Sequence, residues 1–233
     1  MIRQLIKTRR KQVLIDISTQ KDFFLANGKA CIRNHRRVLV NLRRVMAWAR
    51  HNNLPIISTC QVYPNNNGCS EVSYCLDGTE GQRKIRYTLV DNHISFPADG
   101  STDLPIDLLK KYHQIILNKR CADPFDEPRI ERLLSDIKAN EFILIGANAE
   151  DAVLATALGL LQRNKNVTVI ADAIGCQNRN EADLAFRKIQ AKGAQIIETK
   201  KLAGISHLRT IGICDCDLCR SFAERAFSHS SPN

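Results

Sequence analysis

Apolar positions along the chain fall into two alternating kinds of segment. Short apolar runs of strand length occupy residues 13–18 (VLIDIS), 54–59 (LPIIST), 114–118, 142–145, 167–170 and 195–199. Between them lie segments with helical spacing. Residues 33–51 carry Val38, Leu42, Val45, Met46 and Ala49 on one stripe, and residues 127–139 carry Ile130, Leu133, Leu134 and Ile137. A further helix is predicted over 180–192. Strands alternating with helices predict an α/β fold: a three-layer, Rossmann-like, doubly wound parallel sheet of about six strands. One connection breaks the rhythm. Residues 60 to about 105 are rich in Asn, Gly, Asp and Ser, with one short strand predicted near 84–90. A connection this long inside a compact domain is usually functional, as a lid or a subunit contact.

The stretch 141–164 (EFILIGANAEDAVLATALGLLQRN) reads as a buried strand, a turn at Gly146 and a helix. Asn148 or Ala149 is placed to cap that helix. Glu150 and Asp151 then sit in its first turn, where negative charge meets the positive end of the dipole. Residues 153–161 are apolar almost all round, which predicts deep burial. A strand end followed by a helix start is where α/β sheets build sites, because backbone N–H groups are free there. No Cys, Ser, Thr or His lies between Gly146 and Leu154.

The chain has 233 residues, 44% hydrophobic and 25% charged, so a full core is within reach. No apolar run approaches the ~18–20 residues of a membrane span, and the basic leader 1–11 lacks the apolar core of a signal peptide. The net charge of +10 favours an anionic partner: nucleic acid, an acidic protein or a small anionic ligand. The helix over 33–51 adds Arg36, Arg37, Arg43, Arg44 and Arg50, with no acidic residue between Lys29 and Asn53. That face is either solvated or turned to an anion or a subunit. Nine cysteines without a secretory signal read as reduced thiols of a cytoplasmic protein.

Several motifs occur in a fixed order. The first strand ends at Ser18 and continues Thr19-Gln20-Lys21-Asp22-Phe23. The long connection contains Cys75-Leu76-Asp77-Gly78-Thr79-Glu80-Gly81. A middle strand ends at Lys119, the Gly146–Val153 turn is followed by Thr156, and Asp172-Ala173 closes the next strand. Together these resemble the isochorismatase-like hydrolase superfamily, which includes nicotinamidases and related amidases, over roughly residues 12–199. The resemblance implies an Asp–Lys–Cys site. The Asp acts as general base, the Lys stabilises charge, and the Cys attacks a carbonyl held by an oxyanion turn beside a cis peptide.

Transferred onto this chain, the triad is broken. Lys119 matches the Lys. Ser18 stands at the Asp position, and Ala152 at the Cys position. The oxyanion turn maps to Ala147, Asn148 and Ala152, with the cis bond at Ala147–Asn148. A methyl group cannot attack a carbonyl, and a hydroxyl is a poor carboxylate substitute. Where nicotinamidases carry metal ligands after the second strand, this chain has Gln61 and Tyr63, so no cofactor is expected in the pocket. Asp16 shares a strand face with Ser18 and is the candidate for rescue by pairing with Lys119. Cys60 and Cys121 fall near the same place.

The residues after 199 form an extension outside the resemblance. Its Cys214, Cys216 and Cys219 have C-x-C-x-x-C spacing, which suits zinc if a fourth ligand joins them from His207, Cys176 or another subunit. Three functions follow. The chain is a catalytically degenerate family member that binds a small, anionic ligand or a partner, with homo-oligomer formation expected. Or it is a hydrolase of small amides using Ser18, Asp16 and Lys119. Or it is a basic protein associated with nucleic acid.

Overall fold

The computed structural model describes residues 12–65 and 72–203. The basic leader, and most of the C-terminal extension with Cys214, Cys216 and Cys219, lie outside the described residues. Seven strands form one parallel sheet in the order β3-β4-β2-β1-β5-β6-β7. They are β1 (Gln12–Ile17), β2 (Ile56–Gln61), β3 (His93–Phe96), β4 (Gln114–Lys119), β5 (Glu141–Gly146), β6 (Asn166–Ile174) and β7 (Gln195–Ile197). The α/β, doubly wound reading therefore holds, with one strand more than expected. The extra strand, β3, is a four-residue edge strand that pairs with β4 from His93↔Gln114 to Phe96↔Leu117. The strand predicted near 84–90 is not there. Lys84 makes an isolated bridge to Gln20, and Arg86–Thr88 is a 3-10 turn.

The helices are α1 (Lys21–Phe24), α2 (His35–His51), α3 (Leu108–Lys111), α4 (Pro128–Asp136), α5 (Leu154–Gln162), α6 (Arg179–Ala191) and α7 (Thr199–Ala203). They form two outer layers, because strand side chains alternate between faces. Leu14, Ile143 and Ile145 pack with Phe24, Leu42 and Met46 beneath α1 and α2. Val13, Ile15, Phe142 and Leu144 pack with Ile130, Leu134, Leu160 and Ile189 beneath α4, α5 and α6. No helix among the described residues is long and apolar enough to cross a membrane.

Two helices depart from expectation. α4 ends at Asp136, because Ile137 is extended (φ −65°, ψ 119°). α5 is buried along Thr156, Ala157, Gly159 and Leu160, while Leu154, Leu158 and Leu161 are half-buried, so its apolar surround is not matched by burial all round.

The sheet centre is β1, with β2 on one side and β5 on the other. Chain direction across the sheet reverses here, which opens a crevice beyond the carboxyl ends of the strands. The ends of β1, β2, β4 and β5 bring Ser18, Gln61, Lys119 and Gly146 to that crevice.

Candidate active site

Gly146 adopts φ +122°, and a Cβ there would lie 1.9 Å from the Ile17 carbonyl oxygen, so only glycine fits. The next peptide, Ala147–Asn148, is cis. Asn148 opens a π-helical turn, Ala149–Val153, that runs into α5. The turn is less open than expected. The Ala147 amide donates to the Ile17 carbonyl at 2.9 Å, and the Ala149 amide to the Gly175 carbonyl at 2.8 Å. Ala147 therefore cannot serve an oxyanion. The Asn148 amide donates to no described group, and the Asn148 Oδ1 is buried without a partner. Ala152 sits in this turn, 4% exposed, its methyl packed into the core beneath α5.

Ser18 is almost fully buried and adopts φ +49°, a left-handed conformation that turns the chain out of β1. Its amide donates to the Thr59 carbonyl, and its carbonyl accepts from the Gln20 amide, both at 2.8 Å.

Lys119 is 0% exposed. Its ammonium has three hydrogens and three acceptors: Gln61 Oε1 and the Cys121 carbonyl at 2.8 Å, and the Ala122 carbonyl at 3.0 Å. Every donor is spent. Burial pushes its pKa down to about 8, against the opposing pull of Asp151 and of Cys60, Cys121 and Asp123. The Asp151 carboxyl is pushed up by desolvation, with Lys119 acting the other way. Sequence reading missed both Asp151 and the capping role of Gln61. The register pairing of Gln61 with Lys119 was the signal for the latter, but it exists only once β2 and β4 are aligned.

Asp16 does not pair with Lys119. Its Oδ2 accepts from Lys84 Nζ at 2.5 Å and from the Ser58 hydroxyl at 2.8 Å, while Oδ1 is buried with no partner. Lys84 also donates to the Thr19 hydroxyl at 2.7 Å. Lys84 comes from the long connection, and no spacing in the sequence ties it to the first strand. The pair is enclosed, with side chains 0% and 5% exposed, so it clamps the connection onto the sheet and does not serve as a free base. Cys60 is buried, its thiol pushed up to about 11 by desolvation, which leaves it a poor nucleophile. Cys121 is exposed.

The Cys75–Gly81 motif has a structural role as well. Asp22 is 6% exposed and accepts from the Cys75 amide at 2.7 Å and the Lys29 amide at 3.1 Å. A Cβ at Gly81 would lie 2.0 Å from Asp22 Oδ2.

Three cavities are lined by described residues other than Lys119, Ser18 and Ala152. One of about 390 Å³ lies beside Asn148, between Phe23, Tyr74, Lys29 and Gln177. A larger one, about 990 Å³, lies at the amino ends of the central strands, around Leu104, Leu109 and Ile137. The third, about 520 Å³, lies between α2 and α6.

The Isochorismatase domain matches residues 12–201. The chain belongs to the isochorismatase family. No curated protein matches it. Among solved structures, this family member is similar to nicotinamidase from Bacillus subtilis, at 18% identity and a TM-score of 0.64, over 81% of this chain and 99% of that one. It is also similar to the pyrazinamidase of Pyrococcus horikoshii in complex with zinc, at 18% identity and 0.63, over 81% and 99%. The MAR1 ribonuclease of Caenorhabditis elegans matches at 20% identity and 0.58, over 96% of this chain and 93% of that one.

The isochorismatase-family site in this chain does not fit a divalent metal. The Gln61 oxygen already faces the Lys119 ammonium, and its Nε2 is a buried orphan donor. A donor N–H and an ammonium both repel a cation. Tyr63 packs edge-on against Tyr74, with ring centroids 5.4 Å apart. No group of three His, Cys, Asp or Glu with metal-binding geometry occurs among the described residues.

Proposed function

We propose that this protein is an isochorismatase-family member that has given up thiol-dependent hydrolysis and acts by binding. One observation carries the reading. The catalytic lysine survives as Lys119, yet its three hydrogens are consumed inside the protein and none is left for a substrate. The Ala152 methyl and the Ser18 hydroxyl at the other two positions support the same conclusion. The rearranged hydrolase draws no support, because Asp16 is committed to Lys84 and Lys119 to Gln61. The test is turnover of a panel of small amides, nicotinamide first among them. No hydrolysis is expected. Turnover that disappears in Lys119→Met would overturn the reading.

A second reading, association with nucleic acid, has its own support. The net charge is +10, and exposed arginines stand at the start of α2. One solved structure that matches over 96% of this chain is titled a ribonuclease. Electrostatic binding of nucleic acid weakens steeply as salt rises. Binding that is indifferent to salt would remove this reading.

A further inference from the structure

The cavity of about 520 Å³ between α2 and α6 is walled by Arg33, Arg37 and Arg179. All three are exposed, and none makes a side-chain hydrogen bond or ion pair with a described group. The acids of the same cavity are mostly spent. Asp172 Oδ1 accepts from the Thr199 amide at 2.7 Å and the Thr199 hydroxyl at 2.8 Å. Glu198 pairs with Lys200 at 2.8 Å. Asp183 accepts no such bond, and Glu198 also feels the charge of Arg37, so the cavity holds three guanidinium groups without a hydrogen-bonded side-chain partner beside three acids, two of them engaged elsewhere.

The frame that carries the arginines is held in place. The Arg33 amide donates to the Cys176 carbonyl at 3.3 Å. Asn34 accepts from the Cys176 amide at 3.2 Å and donates to the Ile174 carbonyl at 3.3 Å. These bonds lace the entry of α2 to the entry of α6, which fixes the spacing of Arg33 and Arg179. The start of α6 is itself capped, because Asn178 accepts from the Asn180 and Glu181 amides. Attraction for an anion must therefore come from the guanidinium groups. Phe186, half-buried, adds an aromatic side chain to the cavity wall.

Planar guanidinium forks match phosphate oxygens, and an aromatic ring between cations is a stacking platform for a base. A walled cavity of this size suits a flexible strand more than a rigid duplex. We propose that this cleft binds a single-stranded nucleic acid, with phosphates on Arg33, Arg37 and Arg179 and a base on Phe186. The proposal rests on the nucleic-acid reading above and locates it away from Lys119.

The test is fluorescence anisotropy of a short, fluorescein-labelled polyuridine strand with the full chain, between about 50 and 200 mM salt. Arg37→Gln combined with Arg179→Gln is expected to weaken binding at least tenfold. Each phosphate of a single strand that is left without its arginine lowers the salt slope by about 0.7, so the double variant should lose about 1.4. Phe186→Leu, which keeps an apolar side chain, should weaken binding several-fold and leave the slope unchanged. Arg132→Gln, beside the amino ends of the central strands, should change nothing. Melting temperatures establish that the variants fold. A wild-type chain that does not bind the strand removes the nucleic-acid reading itself. A wild-type chain that binds, with the double variant binding equally well, leaves that reading standing and overturns the cleft. Displacement of the probe by uridine monophosphate at equal concentration overturns the extended strand as occupant.

Discussion

Gln61 and Lys119 are register partners at the carboxyl ends of β2 and β4, and the Gln61 amide oxygen accepts from the Lys119 ammonium at 2.8 Å. On the reading proposed above, this contact stoppers the lysine from within.

That closure makes a prediction about re-engineering. Ser18→Asp with Ala152→Cys restores the expected triad residues without releasing Lys119 or opening Ala152, which is 4% exposed. The double variant is expected to leave nicotinamide intact, and its new thiol to alkylate slowly with iodoacetamide. Measurable amide hydrolysis by the double variant would mean that the closed geometry does not govern activity.

Lys119 also sets a pH dependence. Its folded pKa of about 8 lies below the ordinary lysine value of 10.5. Between those values the unfolded chain binds more protons than the folded one. Stability therefore rises as pH climbs through this window, by about 3 kcal/mol in all. Lys119→Met should flatten that rise. Urea unfolding of both proteins, below and above the window, measures it; equal slopes would refute the assignment.

Asp16 and Lys84 form an enclosed ion pair. Breaking one side strands a charge in the core, so Asp16→Asn is expected to cost about 3–5 kcal/mol. Adding Lys84→Met should recover part of that loss, because no lone ammonium then remains. Chemical denaturation across the double-mutant cycle reads the coupling, and strictly additive losses would show that the two do not act as a pair.

Gly81 gives a prediction about the long connection. A methyl at this position meets the Asp22 carboxylate that holds the Cys75 amide. Gly81→Ala is expected to destabilise by about 1–3 kcal/mol through overpacking. It should also speed proteolytic cleavage in the connection, measured against the wild-type chain. Unchanged cleavage would mean that Asp22 does not anchor it.

The layered α/β architecture was legible because β1, β2, β4, β5 and β6 are buried on both faces and read as continuous apolar runs. β3 was not, since His93 and Ser95 are exposed and only Ile94 and Phe96 are half-buried. The placement of Ser18, Lys119 and Ala152 followed from motif order. What those residues touch did not. The Lys119–Gln61 contact depends on register across a parallel pair separated by more than fifty residues, and the Asp16–Lys84 pair on the path of an irregular connection. Apolar periodicity carries no record of either.

Gly146 leaves room for nothing larger than hydrogen beneath the Ile17 carbonyl. The bend between β5 and the turn before α5 is thus cast in main chain: the Ala147 amide on Ile17, and the Gly175 amide on Gly146 at 2.7 Å. Exchange of a nucleophile or a base leaves such a mould untouched. On the proposed reading, contour and reactivity are inherited separately, and in this fold silhouette alone is a poor witness to chemistry.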